Sequence, residues 1–471
     1  MTVNIPFQNS YATLPPRFYA RVLPTPVAAP QMLAFNQALA DSLNITADDD
    51  MAQVFSGNEI PAGAEPLAQA YAGHQFGGFS PQLGDGRAIL LGEVTGKDGH
   101  RYDIQLKGSG PTPFSRRGDG RAWMGPVLRE YVMSEAMHAL GIPTTRALAA
   151  VSTGERIQRE RAYPGAILTR VASSHLRVGT FQYFAARQDT EALKILFDYT
   201  RARHYPDAET PLDLLQQVIA RQVALVTHWL SIGFIHGVMN TDNTSLSGET
   251  IDYGPAAYMD SYHPVTVYSS IDQNGRYAYD NQANILGWNM AQLATSLIPL
   301  MPDADRAIKD FTDTVNAMAD QLKSAWRHRF GQKIGLSDAT AQDGPLIQDL
   351  LNLMADNQAD FTNTFRALAT GHAPRDQFTT PTAFDTWHAR WQARLATESD
   401  PQTLMQATNP AFIPRNHQIE HMIQAAVNGD MAPFHRLNTV LATPYQDQPD
   451  AQDLTRPPLA SQVVHQTFCG T

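Results

Sequence analysis

Apolar residues recur along this chain with two different textures. Between Tyr71 and about Ala172 they fall in short runs separated by glycine-bearing turns. The runs Arg87 to Val94, Tyr102 to Leu106, Arg146 to Val151 and Ala166 to Val171 predict strands. One stretch interrupts them: Pro126 to Leu140 predicts a helix, with Pro126 in its first turn and Gly141-Ile142-Pro143 ending it. Beyond Phe181 the spacing becomes helical. Leu214, Val218, Leu225 and Trp229 share one face of a helix that Gly233 stops just before His236. Further helices are predicted over Ala283 to Leu297, Asp305 to Arg327, Pro345 to Met354, Ala383 to Ala396 and His417 to Val427. The first 65 residues are punctuated by proline, with one helix predicted around Gln31 to Leu43. The Asp/Gln/Pro-rich stretch Thr443 to Pro458 reads as an exposed tail segment.

A sheet-rich portion carrying one helix, followed by a helical portion, predicts an α+β fold with the two-lobe order of a protein kinase. The divisions are an N-terminal extension (1–65) packing on the lobes, a sheet-rich nucleotide-binding N-lobe (66–178), and a helical C-lobe with a C-terminal extension (179–471). The net charge of -11, from 35 basic and 46 acidic residues, opposes a general nucleic-acid or anionic-membrane surface. A single cysteine excludes an internal disulfide framework and a thiolate zinc cluster, which fits a reducing compartment such as the cytoplasm. The start has no apolar leader, and no run approaches the 18 or so apolar residues of a membrane helix.

The chemistry concentrates in His236-Gly237-Val238-Met239-Asn240-Thr241-Asp242-Asn243, followed nine residues later by Asp252-Tyr253-Gly254. A kinase catalytic loop places its base five residues before a metal-binding Asn and is followed by an Asp-Phe-Gly whose Asp also holds metal. With Asn243 as that Asn, the base position is Val238, a hydrocarbon that accepts no proton. Asp242, beside Asn243, is the acid available in its place. Asn243 and Asp252 supply oxygen ligands suited to Mg²⁺ or Mn²⁺, with a bulge or hairpin at Ser247-Gly248 folding Thr250-Ile251-Asp252 back toward Thr244 to Leu246. Gly84-Asp85-Gly86-Arg87 before a strand is a plain turn or a phosphate-approaching loop. Lys107 with Glu130 resembles the kinase strand lysine and helix glutamate, or is a surface ion pair. Ser115-Arg116-Arg117-Gly118-Asp119-Gly120-Arg121 carries more guanidinium groups than Asp119 can pair. Arg170 and Arg177 follow a strand. His236 reads as a packed loop histidine, and His74 as structural.

Long strings of low degeneracy carry a family likeness: YAGHQFGGFSPQLGDGRAILLGE from Tyr71, DIQLKGSGPTPFSRRGDGRA from Asp103, LREYVMSEAMHALGIPTTRAL from Leu128, LTRVASSHLRVGTF from Leu168, GVMNTDNTSLSGETIDYGP from Gly237 and NPAFIPRNH from Asn409. With these, the chain resembles the selenoprotein O family of pseudokinase-fold protein adenylyltransferases. The resemblance implies a kinase-like fold that holds ATP reversed and transfers AMP to Ser, Thr or Tyr hydroxyls of target proteins. Carried over by position, it implies that Gly84, Gly86, Arg87, Lys107, Asp119, Gly120, Arg170, Arg177 and Asp252 bind the nucleotide. Asn243 and Asp252 would hold Mg²⁺ or Mn²⁺, and Asp242 would be the proton acceptor. UMP transfer from UTP, a kinase-type phosphotransfer and a non-catalytic nucleotide-binding module are the alternative readings. The family pattern GRAVLRSS becomes Gly120-Arg121-Ala122-Trp123-Met124-Gly125-Pro126 here, so an arginine is lost at Gly125. Cys469 stands where many relatives carry a terminal Cys or selenocysteine, and as the one thiol of the chain it could react only with an external thiol partner.

Overall fold

The computed structural model describes residues 3–47, 51–371, 374–379 and 381–468. In chain order the strands of its first part are β1 (Tyr19–Arg21), β2 (Gln31–Phe35), β3 (Leu67–Gln69), β4 (Gly73–Gln75), β5 (Gly78–Ser80), β6 (Ala88–Thr95), β7 (Arg101–Lys107), β8 (Ala122–Trp123), β9 (Arg146–Gln158) and β10 (Ala162–Ala172). They build an antiparallel sheet in the order β1-β3-β6-β7-β10-β9-β2, with β8 pairing on β10, while β4 and β5 form a separate hairpin. The helices around it are α1 (Gln37–Ser42), α2 (Met51–Phe55), α3 (Met124–Ala139), α4 (Val178–Ala185), α5 (Thr190–His204), α6 (Pro211–Ser231) and α7 (Gln282–Leu297). A mainly helical part follows to the end.

Both faces of the sheet are covered, so its strands bury apolar residues on both sides together with the polar Glu93, Asp103 and Gln105. Val3, Ile5, Leu39, Val54 and Phe55 of the N-terminal segment pack on Leu91, Ile104, Leu106, Val151 and Val171. Leu128, Val132 and Ala136 of α3 pack between Ala150 and Leu168 on one side and Phe412, Met422, Ile423 and Phe434 on the other. The C-terminal helices therefore return to the helix that crosses the sheet. Burial of such side chains contributes about 1.5–3 kcal/mol each relative to exposure.

Four sequence expectations change. Gln31 to Leu43 is a strand and then a helix: Asn36 caps α1, accepting from the Leu39 N–H at 3.1 Å, and the residues before it pair with β9. Asp305 to Arg327 is two helices, Ala304–Asn316 and Met318–Lys333, divided at Ala317. The turn at Ser247-Gly248 forms, with Gly248 N donating to Ser245 O at 3.3 Å, but its arms do not pair. Ser245 bridges to Arg177 and Thr250 to Thr144, so each arm is tied to a different distant segment. Thr443 to Pro458 is docked: Asp447 pairs with Arg366, Ala451 is buried, and the Leu454 and Thr455 carbonyls accept from Gln418 and Arg415. Cys469 lies outside the described residues; the tail before it pairs through Thr467 with Ser269. Among the described residues, no helix is long and apolar enough to cross a membrane.

A buried charge cluster ties the sheet to α5. Arg203, its side chain 5% exposed, donates to Asp103 Oδ1 at 2.5 Å, Glu93 Oε2 at 3.1 Å and the Ser173 carbonyl at 2.9 Å. Asp103 Oδ2 also accepts from the His175 N–H and faces its ring Nδ1, both at 2.9 Å. Burial would raise the Asp103 carboxyl, yet Arg203 and His175 hold it down at about 2. Glu93 in turn accepts from the backbone N–H groups of Ser10 and Tyr11, drawing in the N-terminal segment. Replacing Arg203 would leave the buried Asp103 without its guanidinium partner and Glu93 with Arg101 alone, at 3.4 Å. Arg203→Met is expected to lower the unfolding free energy by about 3–5 kcal/mol, read as a drop in the urea or thermal midpoint. An unchanged midpoint would show that the cluster does not bear on stability.

Candidate functional site

A cleft of about 850 Å³ opens between the sheet and the loop that follows α6. It is lined by Gly84, Gly86, Arg87, Asp119, Gly120, Asp242, Asn243 and Asp252, so eight of the residues singled out from sequence meet in one place. Val238, at the position where a kinase carries its base, is in the same wall. The loop is fixed from behind. His236 is buried, its N–H donates to Gln282 at 3.0 Å, and its Nε2 faces the Ile251 carbonyl at 2.9 Å, which links the loop to the residue before Asp252. Burial lowers the His236 pKa, so the ring is neutral and Nε2–H is the donor. It is thus a packed loop histidine.

Lys107, Arg170 and Arg177 stand behind the cleft wall. Lys107 Nζ contacts Glu130 Oε2 at 2.6 Å and also Asp252 Oδ1. Arg170, its side chain 4% exposed, donates to Glu130 Oε1 through Nε at 2.8 Å and Nη2 at 2.5 Å, and lies 3.3 Å from Asp252 Oδ1. Burial would raise the Asp252 carboxyl, but Lys107 and Arg170 drive it well below the usual carboxylate range. Glu130 is lowered for the same reason by Arg170 and Lys107. Asp252 itself has φ 69, a left-handed backbone that costs a non-glycine residue on the order of 1 kcal/mol and that the surrounding contacts must enforce. Arg177 is buried over the Tyr71 ring at 4.2 Å and 3.6 Å from Asp85, with Nε and Nη1 making no hydrogen bond. Unspent guanidinium donors next to a cleft suit an anion.

The oxygen donors fit a hard cation. Asn243 Nδ2 donates to the Val238 carbonyl at 3.1 Å, which leaves its amide oxygen free, and the contacts of Asp252 fall on Oδ1, which leaves Oδ2. Among the described residues no group of three His, Cys, Asp or Glu could hold a metal. Two protein oxygens completed by phosphates and water is the arrangement Mg²⁺ favours.

The glycine loops have a packing reason of their own. Gly84 has φ +68, and a Cβ there would stand 2.3 Å from the Phe114 ring. Gly120 has φ +66, and a Cβ would stand 2.1 Å from the Gly110 backbone. Asp119 accepts from Arg159 at 2.8 and 3.1 Å and from the Arg121 N–H at 2.9 Å, so it clamps its loop as well as lining the cleft. The side chains of Arg87, Arg116 and Arg117 make no hydrogen bond or ion pair among the described residues, although all three residues line the cleft. The arginine missing at Gly125 has a local explanation. The Trp123 indole stacks on Tyr163 at 4.4 Å and covers Gly125, where a Cβ would stand 2.1 Å from the ring.

Sequence reasoning passed over the β4–β5 hairpin. His74 N–H donates to Thr241 Oγ1 at 2.7 Å, Gln75 Nε2 to Asp242 Oδ2 at 3.0 Å, and Phe76 N–H to Asn240 Oδ1 at 3.2 Å. Asp242 is left 8% exposed, and burial pushes its carboxyl up to about 6 against the opposing pull of Gln75. The signal was the segment Tyr71-Ala72-Gly73-His74-Gln75-Phe76-Gly77, which no strand or helix period explains.

A family model described as protein adenylyltransferase SelO matches residues 1–442. Proteins named protein nucleotidyltransferase YdiU from Ruegeria sp. (strain TM1040) and Roseobacter denitrificans are 63% and 62% identical to this chain, each over 100% of both sequences. The one from Jannaschia sp. (strain CCS1) is 57% identical over 99% of both. With a match of that extent, this chain belongs to the protein adenylyltransferase SelO family.

Proposed function

We propose that the chain transfers AMP from ATP to Ser, Thr or Tyr hydroxyls of proteins, within a kinase-like two-lobe fold. In this reading residues 66–178 form the nucleotide-binding lobe, 179–471 the helical lobe with the catalytic loop, and 1–65 an extension packed on the sheet. The observation that carries it is the cleft itself: a hydrocarbon, Val238, holds the kinase base position, while Asp242 stands in the same wall beside Asn243 and with Asp252. The single cysteine accords with a reducing compartment, the cytoplasm.

The acceptor oxygen attacks the α-phosphorus, its proton passes to the Asp242 carboxylate, and the bond to the β-phosphate oxygen breaks to release pyrophosphate. Mg²⁺ or Mn²⁺ held by Asn243 and Asp252 supplies charge neutralisation on the phosphates when bound. Arg87 and Arg177 have unspent donors for the departing pyrophosphate, and the flanking Gly84, Gly86 and Gly120 let backbone approach. Lys107 and Arg170 reach the nucleotide by sharing their contacts with Glu130 and Asp252.

Incubation with ATP labelled separately at the α and γ positions, with a divalent metal, is expected to label acceptor protein from the α position only. Transfer of γ-label alone would make the protein a kinase, and labelling from neither would make the cleft a nucleotide-binding module. Asp252→Ala is expected to abolish transfer and metal-dependent ATP binding together, measured by calorimetry with and without Mg²⁺. Asp242→Ala is expected to keep ATP affinity within a few-fold while slowing transfer about 10² to 10⁴-fold. A general base acts only when deprotonated. With the Asp242 carboxyl at about 6, kcat/KM should therefore fall as pH drops through that value, a limb that Asp242→Ala lacks.

A further inference from the structure

We propose that the β4–β5 hairpin is a positioning element for the transfer reaction: Gln75, by hydrogen bond, and Gly73, by close approach, fix the Asp242 carboxylate with Oδ2 toward the acceptor hydroxyl. This rests on the proton-accepting role of Asp242 given above. The terminal torsion of an aspartate is broad and roughly two-fold, so nothing in the residue itself selects which oxygen faces a substrate. Here the surroundings select. Oδ1 is sealed from solvent and has no hydrogen-bond partner. It lies against Gly73, where a Cβ would stand 2.5 Å from Oδ1 and 2.9 Å from both Cβ and Cγ of Asp242. Gly73 does not have the left-handed φ that favours glycine, so its lack of a side chain serves this contact rather than a turn. Oδ2 is the remaining carboxylate oxygen of a residue that lines the cleft, and it accepts from Gln75 Nε2 at 3.0 Å. A carboxylate oxygen takes two such bonds, so Oδ2 keeps a lone pair for the hydroxyl.

The hairpin is held independently of Gln75. His74 N–H bonds Thr241, and the His74 ring Nδ1 faces Gln182 Nε2 at 2.9 Å. The Phe76 N–H bonds Asn240 Oδ1, which also accepts from Tyr277 OH at 2.6 Å. Loss of the Gln75 amide should therefore free the carboxylate without undocking the hairpin.

The test is a double-mutant cycle on AMP transfer from α-labelled ATP to β-casein. Gln75→Leu is expected to lower kcat about ten- to a hundred-fold with the KM for ATP and the melting temperature unchanged, and Gly73→Ala to lower it at least as much. In an Asp242→Ala background, Gln75→Leu should change the residual rate by less than two-fold. Should Gln75→Leu fold poorly, Gln75→Met, of similar length and without a donor, gives the same reading. An equal fall in both backgrounds, an unchanged or higher kcat, or a fall confined to the KM for casein would each overturn the positioning role. If Asp242→Ala alone leaves kcat intact, the proton-acceptor reading fails instead, whatever Gln75 does.

Discussion

Everything in the cleft depends on one cluster of four charges. Lys107 from β7, Glu130 from α3, Arg170 from β10 and Asp252 from the segment after the catalytic loop meet within single hydrogen bonds of one another. Two cations and two carboxylates cancel, which is what allows them to sit in a poorly hydrated wall, where an unpaired charge would cost several kcal/mol. The same cluster joins four elements far apart in sequence. It also makes Asp252 a firm anion, ready for a cation, and helps hold it in a left-handed backbone it would not choose alone. Removing any one member would strand the others, so the cluster sets the relative placement of sheet, crossing helix and loop.

Asp242 follows the opposite logic. Asp242 has no cation in hydrogen-bond contact, one carboxylate oxygen has no partner, and burial raises its proton affinity. A carboxylate destabilised in this way is a better proton acceptor than one locked in an ion pair, as Asp252 is. The cleft thus holds two buried carboxylates with opposite shifts, one suited to hold charge and one to exchange a proton. That division suits the proposed transfer, in which Val238 offers no base.

Much of the sheet was legible because its strands carry short apolar stretches flanked by turns: Ala88 to Leu91 in β6, the alternating Tyr102, Ile104 and Leu106 of β7, and Ala166 to Leu168 in β10. The long helix α6 was equally plain from its single apolar stripe. What sequence could not show was contact at long range. Nothing local in Gln75 announces a bond to Asp242, 167 positions away, and the ties of Ser245 to Arg177 and of Thr250 to Thr144 are likewise invisible to periodicity. The error at Gln31 to Leu43 was of a different kind, since Asn36 is a helix cap that local rules could have placed. Thr443 to Pro458 looked solvated by composition, yet its backbone carbonyls serve as acceptors for the buried Arg415 and for Gln418. Composition measures side chains in isolation, and here main-chain carbonyls and the ion pairs of Asp447 with Arg366 and Asp453 with Arg436 make the contact.

The glycines at the cleft show how a motif can be right for two reasons at once. Gly84 and Gly120 are required by positive φ and by the close packing of Phe114 and of the Gly110 backbone, so their identity would be fixed even in a loop that touched no ligand. Gly125 is the converse case. Its backbone needs no glycine, but the indole of Trp123 occupies the volume a side chain would need, stacked between that position and Tyr163. Restoring an arginine at 125 without first moving Trp123 would drive Cβ into the ring. The two positions are therefore coupled in this structure. Through its pairing with Gly165, Trp123 also ties the start of α3 to β10, the strand that carries Arg170 of the charge cluster.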